Sequence, residues 1–309
     1  MAKIAVVFPG QGSQYVGMGR AFCEASRQAA EIFALADEAA GAPIQKLCFE
    51  GPMDELTLTV NLQPAVTAVD LACWSALEAA GIKPAATAGH SLGEYAALVA
   101  CGALGARECL ELVSLRGRLM DRDARANPGA MAAIMGKSPE EAAALTEAVD
   151  GVVQPANFNS PAQTVVTGAR EAVAEVCRLA KGQGAKAIPL KVSGAWHSPL
   201  MEAAGRELAE VLAAKPLTPM SRTMVCNATG EPTRRAIDAH QAVMRQLTSP
   251  VRWVQSVQAM LDARIDTFIE AGPKTVLSGL IKKIAPRGVK VLSVENPEGL
   301  ESLREAVDI

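Results

Sequence analysis

The stretch Pro84-Ala85-Ala86-Thr87-Ala88-Gly89-His90-Ser91-Leu92-Gly93 decides how this chain is expected to fold. Its first five residues predict a short β-strand, and residues 92–100 predict a helix. Gly-x-Ser-x-Gly at the junction of a strand and a helix is typical of a nucleophile elbow. There a sharp turn exposes the serine hydroxyl, and the glycines keep neighbouring atoms away from it. We therefore predict that Ser91 is a catalytic nucleophile.

Short apolar strands alternate with alanine-rich helices on both sides of this stretch. Such alternation predicts an α/β fold whose mainly parallel sheet is covered by helices on both faces. Besides the strand and helix just described, the expected elements are a strand at 4–8, a helix at 106–122, and strands at 223–226, 266–269 and 289–294.

The pattern changes between Asn127-Pro128-Gly129 and His197. We expect a strand at 130–135, a helix capped by Ser138, strands at 152–156 and 164–167, a helix at 170–181 and a strand at 186–192. This β-α-β-β-α-β order is that of a ferredoxin-like module. The predicted architecture is a large α/β domain of residues 1–126 and 197–309, with an inserted ferredoxin-like subdomain of residues 127–196.

Composition narrows the function classes for this chain of 309 residues. Half of the residues are hydrophobic, and the net charge of -3 comes from interspersed acidic and basic residues. The sequence has no run of basic residues that would indicate nucleic-acid binding. It also has no apolar stretch of about 18 residues, the length that a membrane span needs. The seven cysteines form no Cys-x-x-Cys pair, which favours reduced thiols. The N-terminus has no signal-peptide pattern, so we expect a cytoplasmic protein.

A serine hydroxyl needs a base, and the chain offers three histidines. The ring of His90 is expected to point away from Ser91 on so tight a turn. His240 lies in a polar helical stretch that looks solvated. His197 follows a predicted strand, and α/β sheets place their chemistry in such loops. Elimination makes His197 the base.

The residue that orients this base is left open by the sequence. An α/β-hydrolase places an acidic residue between the serine and the histidine along the chain. The candidates there, Glu140, Glu141 and Asp150, all lie in predicted surface segments. The pattern is therefore compatible with a Ser-His dyad that is oriented by a group other than a carboxylate.

The helix at 106–122 carries one charged residue on its apolar face. Its apolar stripe consists of Cys109, Leu112, Val113, Leu119 and Met120. Position 116 falls on the same stripe, and it is Arg. A buried guanidinium keeps its charge, so it requires an anion or a dense set of acceptors. Arg116 is either a ligand for a substrate carboxylate or part of a structural ion pair, and spacing alone does not separate the two.

The glycine-rich loop Pro9-Gly10-Gln11-Gly12-Ser13-Gln14 invites a dinucleotide-binding interpretation. The third glycine of that fingerprint falls on Tyr15, and Pro9 stiffens the turn, so the interpretation fails. We predict instead that the Gln11 N–H and the Leu92 N–H together form an oxyanion hole. The alternative is a plain tight turn.

Four motifs stand in order along the chain: Phe8-Pro9-Gly10-Gln11-Gly12-Ser13-Gln14, Gly89-His90-Ser91-Leu92-Gly93-Glu94, Arg116-Gly117 and Trp196-His197-Ser198. Together they resemble the malonyl-CoA:acyl carrier protein transacylases, the acyltransferases of bacterial fatty-acid synthesis. The likeness extends to about residue 295. It also covers Gln63 in Leu62-Gln63-Pro64-Ala65, Asn157-Phe158-Asn159-Ser160-Pro161, Ser249-Pro250-Val251-Arg252-Trp253 and Glu270-Ala271-Gly272-Pro273.

The resemblance implies roles for the matched residues. Ser91 is the nucleophile and His197 the base. Arg116 clamps a malonyl carboxylate, with Gln63 beside it. Gln11 and Leu92 supply the oxyanion-hole amides, and the backbone carbonyl of Gln246 orients the histidine. Asn157 and Asn159 are candidates for binding CoA or pantetheine, and the bulky Trp196, where Phe is usual, resembles malonyl-selective members.

The family fold is a large hydrolase-like domain with a ferredoxin-like insertion. The implied reaction moves malonyl from malonyl-CoA to the phosphopantetheine thiol of acyl carrier protein through a malonyl-serine. The resemblance implies no cofactor and no metal, and we expect a monomer. The carrier protein is acidic as a class, so Lys186, Lys191 and Arg222 are candidates for its docking face.

Three alternatives remain at this point. The first is a trans-acting acyltransferase that loads a polyketide synthase. The second is a serine thioesterase or esterase, which predicts a Ser-Asp-His order and has no use for Arg116 on a core face. The third is an inactive docking subunit, against which the intact Ser91 and His197 count.

Overall fold

Two β-sheets, one mainly parallel and one antiparallel, organise the computed structural model, which describes residues 2–307. In chain order its elements are β1 (Ile4–Phe8), α1 (Arg20–Ala25), α2 (Arg27–Ala40), α3 (Ile44–Glu50), α4 (Met53–Thr57), α5 (Thr59–Ala79), β2 (Ala86–Gly89), α6 (Gly93–Ala100), α7 (Ala106–Ala126), β3 (Gly129–Met135), α8 (Pro139–Glu147), β4 (Val153–Ser160), β5 (Gln163–Ala169), α9 (Arg170–Gly182), β6 (Lys186–Pro189), α10 (Glu202–Ala213), β7 (Thr223–Val225), β8 (Pro232–Thr233), α11 (Ala236–Met244), α12 (Trp253–Asp262), β9 (Thr267–Ala271), α13 (Val276–Ile284), β10 (Lys290–Val294) and α14 (Pro297–Val307).

The larger sheet has the strand order β10-β9-β1-β2-β7-β8. All neighbouring pairs are parallel except the last, because β8 runs antiparallel to β7. The strands β1, β2 and β7 are adjacent, so their carboxyl ends share one edge of the sheet. The segments that follow these three strands therefore meet there, where open α/β sheets place their chemistry.

Helices cover both faces of this sheet, as the alternation of elements predicts. Along β1, Val6 and Phe8 pack into a large cluster with α2, α5, α6 and α7. The alternate residues Ala5 and Val7 pack into a second cluster with α12 and α13. A strand that is buried on both faces is apolar throughout, which explains the uninterrupted run Ile4–Phe8. The mainly parallel α/β core is thus confirmed.

The smaller sheet is antiparallel, with the order β4-β5-β3-β6. The helices α8 and α9 pack on it through a cluster that includes Leu145, Val173 and Val176. Ser138 caps α8 as expected, because its Oγ accepts the Glu141 N–H at 3.2 Å. The β-α-β-β-α-β order is the predicted ferredoxin-like insertion. We propose residues 127–196 as this subdomain and the rest of the chain as the large domain, of which residues 1, 308 and 309 lie outside the described part.

Element bounds differ from the prediction by three or more residues at three places. The helix expected at 106–122 continues to Ala126, since no breaker precedes Asn127-Pro128. The strand β4 continues past 156 to Ser160, because register irregularities at Pro155/Asn157 and Phe158/Ser160 absorb its departure from regular pairing. The strand expected at 186–192 ends at Pro189, which has no N–H to continue the ladder. Among the described helices, none combines the length and the apolar run of a membrane span.

Candidate active site

Ser91 lies on a strained turn between β2 and α6. Its φ of 51° is left-handed, a conformation that costs a non-glycine residue about 1–3 kcal/mol. The turn is held against β1 because the His90 N–H donates to the Phe8 carbonyl at 2.9 Å. A Cβ on Gly89 would overlap the backbone of Gly93, and a Cβ on Gly93 would overlap the Phe8 carbonyl. Both glycines of the elbow are therefore required by close backbone approach.

The replacement Gly93→Ala is expected to destabilise the fold by about 3 kcal/mol or more, because the added Cβ would meet rigid backbone atoms of β1. Gly279→Ala is the matched control, since Gly279 lies in α13 and a Cβ there meets no atom within 4 Å. We expect it to be neutral or to stabilise by about 0.5–1 kcal/mol. Urea unfolding of both variants tests this, and equal stabilities would contradict the close approach.

His197 lies beside the Ser91 hydroxyl, with Nε2 at 2.8 Å from Oγ. Its Nδ1 lies 3.0 Å from two backbone carbonyl oxygens, those of Gln246 and Ser249. A carbonyl only accepts hydrogen bonds, so Nδ1 carries the proton and Nε2 is the acceptor for the serine hydroxyl. Ser249 adds a second carbonyl to the one that the resemblance implies for Gln246.

The electrostatic surroundings keep His197 neutral. Burial and, to a smaller extent, the nearby Arg116 charge lower its pKa to about 3, against the opposing effect of the two carbonyls. A neutral imidazole with a free Nε2 is the state that can accept a proton. The carboxylates that the sequence offered for orienting it, Glu140, Glu141 and Asp150, are all exposed on the small subdomain.

Arg116 is buried, with 1% of its surface exposed, and its guanidinium points to the elbow. It donates to Ser91 Oγ at 3.1 Å, to Gln63 Oε1 at 2.8 Å and to Gln246 Oε1 at 3.1 Å. Its Cζ lies 5.7 Å from the centre of the Tyr95 ring. Within the described residues its hydrogen-bond acceptors are all neutral oxygens. The site thus holds a positive charge that lacks a direct anionic partner.

Two backbone N–H groups remain free beside the serine. Gln11 and Leu92 both line the cavity in front of Ser91. In the described part of the chain, neither N–H donates to an internal acceptor. The glycine-rich loop approaches the elbow so closely that a Cβ on Gly10 would lie 3.5 Å from the Leu92 nitrogen. A pair of free amides on two adjoining loops is the arrangement that stabilises an oxyanion.

The cavity in front of Ser91 has a volume of about 100 Å³ and lies between the large domain and the small subdomain. The large domain contributes Met120 to its wall, and the subdomain contributes Met131, Asn157, Leu190 and Trp196. So small a space fits a short acyl group.

The two candidate asparagines have different surroundings. Asn157 lines the cavity. Asn159 instead contacts the ring of His90, with Oδ1 at 2.8 Å from Nε2. The His90 ring therefore points to the subdomain, and its Nε2 is engaged away from Ser91. Gln63 contacts Arg116 and, through Nε2, the sulfur of Met120 at 3.1 Å.

Two residues near Ser91 were missed in the sequence. Asn227 Oδ1 accepts the Ser91 N–H at 2.6 Å, and its Nδ2 donates to the Gly89 carbonyl at 2.6 Å. Glu94 is fully buried directly after the elbow. Both residues had a feature that could have marked them. Asn227 follows β7, the strand adjacent to β2. Glu94 is the only charged residue in the α6 sequence Gly-Glu-Tyr-Ala-Ala-Leu-Val-Ala.

The description of His240 as solvated was wrong. Only 9% of its surface is exposed, and its Nε2 lies 2.8 Å from the Leu212 carbonyl. The polar neighbours in the sequence lie on the outer side of α11, while His240 packs inward against α10. The ring thus serves as a buried contact between the two helices, and the hydrogen-bond partner of its Nε2 is the Leu212 carbonyl and not Ser91.

The fold and the site correspond to a known family. Residues 5–294 match the model of the acyl transferase domain family. This match covers both the Ser91 elbow and the His197 loop. Fold and family together define the class of the protein as an acyltransferase.

Individual relatives narrow the class. The malonyl CoA-acyl carrier protein transacylase of Bacillus subtilis (strain 168) is 42% identical over 305 residues, which cover 97% of this chain and 96% of that protein. The transacylase of the same name from Escherichia coli (strain K12) is 40% identical over 294 residues, 92% of this chain and 93% of that protein. The chain belongs to the malonyl CoA-acyl carrier protein transacylase family.

Comparison with solved structures agrees with this family assignment. An acyl carrier protein S-malonyltransferase from Vibrio cholerae superposes with a TM-score of 0.92 at 38% identity, covering 98% of this chain and all (100%) of that one. A malonyl-transacylase in complex with a type II polyketide synthase acyl-carrier protein superposes with a TM-score of 0.94 at 35% identity, covering 99% and 100% of the two chains.

Proposed function

We propose that this protein transfers the malonyl group of malonyl-CoA to the phosphopantetheine thiol of an acyl carrier protein, through a malonyl-Ser91 intermediate, for fatty-acid synthesis. The observation that carries the proposal is the buried Arg116 guanidinium, 3.1 Å from Ser91 Oγ and bonded only to neutral acceptors within the described residues. A malonyl group on Ser91 brings a carboxylate to this charge, and a planar guanidinium binds a carboxylate through two parallel hydrogen bonds.

The first half-reaction acylates the serine. Ser91 Oγ attacks the thioester carbon of malonyl-CoA while its proton passes to His197 Nε2. The negative charge that develops on the carbonyl oxygen is stabilised by the free N–H groups of Gln11 and Leu92. The tetrahedral intermediate then collapses, the C–S bond breaks, and the His197 imidazolium returns its proton to the departing CoA sulfur.

The second half-reaction reverses these roles. The phosphopantetheine thiol gives its proton to His197 Nε2, and its sulfur attacks the malonyl-Ser91 carbonyl. Collapse breaks the ester C–O bond, and Ser91 Oγ recovers the proton. Within each half-reaction, while His197 carries the extra proton, the carbonyls of Gln246 and Ser249 stabilise the imidazolium through Nδ1–H, in the place of a triad carboxylate.

Preference for a thiol over water follows from how the acyl group is held. With its carboxylate fixed by Arg116, the malonyl ester has one orientation in a cavity of about 100 Å³. An acceptor must therefore arrive through the mouth of the cavity, and because Asn157 lines this cavity we propose that it contacts the pantetheine arm. The bulky Trp196 in the wall leaves little room for a branched acyl group such as methylmalonyl.

The carrier-protein surface is proposed to lie on the small subdomain. Lys186 and Lys191 are exposed on and just after β6, next to Leu190, which lines the cavity. Arg222 is a poorer candidate because it is half-buried, donates to the Ala100 carbonyl at 2.6 Å and stacks on Trp74. The proposed reaction needs no cofactor, because the CoA thioester is itself the substrate. We also propose that the protein is a monomer and that it is cytoplasmic.

Intact-protein mass spectrometry tests this function. After incubation with malonyl-CoA we expect the mass of one malonyl group on the wild-type protein and none on Ser91→Ala. Acetyl-CoA and methylmalonyl-CoA are expected to give less adduct. Adding carrier protein that bears phosphopantetheine should remove the malonyl group, while carrier protein without the arm should not. Rapid loss of the adduct to water alone would instead indicate a thioesterase or esterase.

A further inference from the structure

Glu94 is a buried carboxylate that the transfer chemistry above does not use. Its side chain lies behind the elbow, with none of its surface exposed. One oxygen, Oε1, accepts the Asn227 backbone N–H at 2.7 Å, and the other, Oε2, accepts from Gln246 Nε2. Both oxygens thus face N–H donors. A protonated carboxyl would turn an O–H against one of these donors, so the network is built for the ionised form.

Both partners of Glu94 hold the backbone of the nucleophile. Gln246 Nε2 also donates to the Ser91 carbonyl at 2.8 Å, and Asn227 Oδ1 accepts the Ser91 N–H at 2.6 Å. Ser91 has a left-handed φ of 51°, which persists only where the surroundings impose it. The two polar groups of its backbone are therefore fixed by side chains that Glu94 anchors.

Gln246 connects the same carboxylate to Arg116. The Ser91 carbonyl and Glu94 can only accept, so the amide nitrogen of Gln246 must face them. The amide oxygen is thereby turned to Arg116, from which it accepts a hydrogen bond at 3.1 Å. Glu94 thus acts on the guanidinium through one intervening side chain.

We propose that the ionised Glu94 carboxylate is a positioning residue for the acyl transfer. Through Asn227 and Gln246 it fixes the backbone of Ser91, and through Gln246 it holds the Arg116 guanidinium at the serine hydroxyl. This inference rests on the proposed function, because its effect is measured in malonyl transfer.

The charge state of Glu94 makes the proposal testable by pH. Burial raises its pKa to about 7, against the opposing N–H donors and the Arg116 charge. The other titratable groups that act on it are Tyr95, whose pKa burial raises to about 12, and Cys226, whose thiol pKa burial also raises. With the pKa of His197 lowered to about 3, Glu94 is the member of this network that changes charge near neutral pH.

Malonyl transfer is expected to be faster above pH 7 than below it. Above pH 7 the carboxylate is ionised and both donors are satisfied, so transfer is fast. As the pH falls through about 7, protonation leaves a donor of Asn227 or Gln246 without an acceptor, and transfer slows. We therefore expect wild-type kcat/KM for malonyl-CoA to fall on the acid side with a midpoint near 7. A profile without this acid-side fall overturns the proposal, whatever the variants do.

The variant that tests the residue is Glu94→Gln. Its amide must set its NH2 group against either Asn227 or Gln246, whichever way it is turned. We expect kcat/KM for malonyl transfer at about pH 8 to fall about 10- to 100-fold, with a smaller loss for acetyl-CoA. The remaining activity should be independent of pH between about 6 and 8.5.

Glu270→Gln is the matched control. Glu270 is also fully buried with a pKa raised by burial, but its oxygens accept the N–H groups of Leu277 and Ser278 at the start of α13. We expect it to lose stability in thermal unfolding while keeping the wild-type acid-side fall. A Glu94→Gln variant with wild-type rate and profile, or a Glu270→Gln variant that also loses the acid-side fall, overturns the proposal. A wild-type protein that transfers no malonyl contradicts the proposed function instead.

Discussion

Replacing His197 with Ala is expected to slow acylation of Ser91 by malonyl-CoA about 10³- to 10⁵-fold. The reason is geometric, because His197 Nε2 is the neutral base at 2.8 Å from the serine hydroxyl. Without it the hydroxyl must give its proton to water in a cavity of about 100 Å³. Rapid-quench measurement of the CoA released in the first turnover checks the prediction.

His240→Ala provides the control for this experiment. His240 is also buried, but its ring contacts the Leu212 carbonyl between α10 and α11. We expect this variant to lose about 1–3 kcal/mol of stability through the lost packing and hydrogen bond, and to keep the normal burst of CoA. If His197→Ala releases CoA in a normal burst, His197 is not the base.

The parts of the site that could be predicted from the sequence are those with a local signature. The elbow needs glycines because backbone atoms approach within contact distance. The pattern that shows this requirement consists of five consecutive residues, 89–93. The position of Arg116 on a buried helix face follows from the 3.6-residue period alone. The α/β class and the ferredoxin-like order follow in the same way from the periodicity of short segments.

The parts that could not be predicted depend on contacts between distant segments. Asn227 lies 136 residues from the Ser91 backbone that it holds, and Gln246 lies 155 residues away. The order β1-β2-β7 brings Asn227 to the edge of the sheet where Ser91 lies, but no single stretch of sequence encodes that order. For the same reason, elimination found His197, whereas its two carbonyl partners required the resemblance and then the structure.

His240 shows the limit of local patterns in the opposite direction. Its neighbours Asp238 and Gln241 suggested a solvated helix, yet the ring is buried against α10. A helix needs only one apolar stripe to pack, and a histidine on that stripe can be satisfied by a single backbone carbonyl. Polar neighbours therefore do not exclude burial.

Replacing Arg116 with Ala is expected to lower kcat/KM for malonyl-CoA about 10²- to 10³-fold. Removal of one partner of a buried charge pair leaves the other uncompensated, at a cost of about 3–5 kcal/mol. The acetyl group has no carboxylate, so acetyl transfer loses no such pairing. Ser91 should also stay in position in this variant, because Gln246 still binds Glu94 and the Ser91 carbonyl when the guanidinium is absent. The measurement is the ratio of malonyl to acetyl transfer in one assay.

The acyl-group ratio separates the two interpretations of Arg116. A guanidinium with a purely structural role would, when removed, lower transfer of both acyl groups equally and leave their ratio unchanged. Arg122→Ala is the matched control, since Arg122 lies on the same helix but is half-exposed and pairs with the buried Asp123 and the exposed Glu207. We expect that variant to keep the wild-type ratio. Arg116→Lys should recover only part of the malonyl preference, because an ammonium keeps the charge and loses the planar pair of donors that matches a carboxylate.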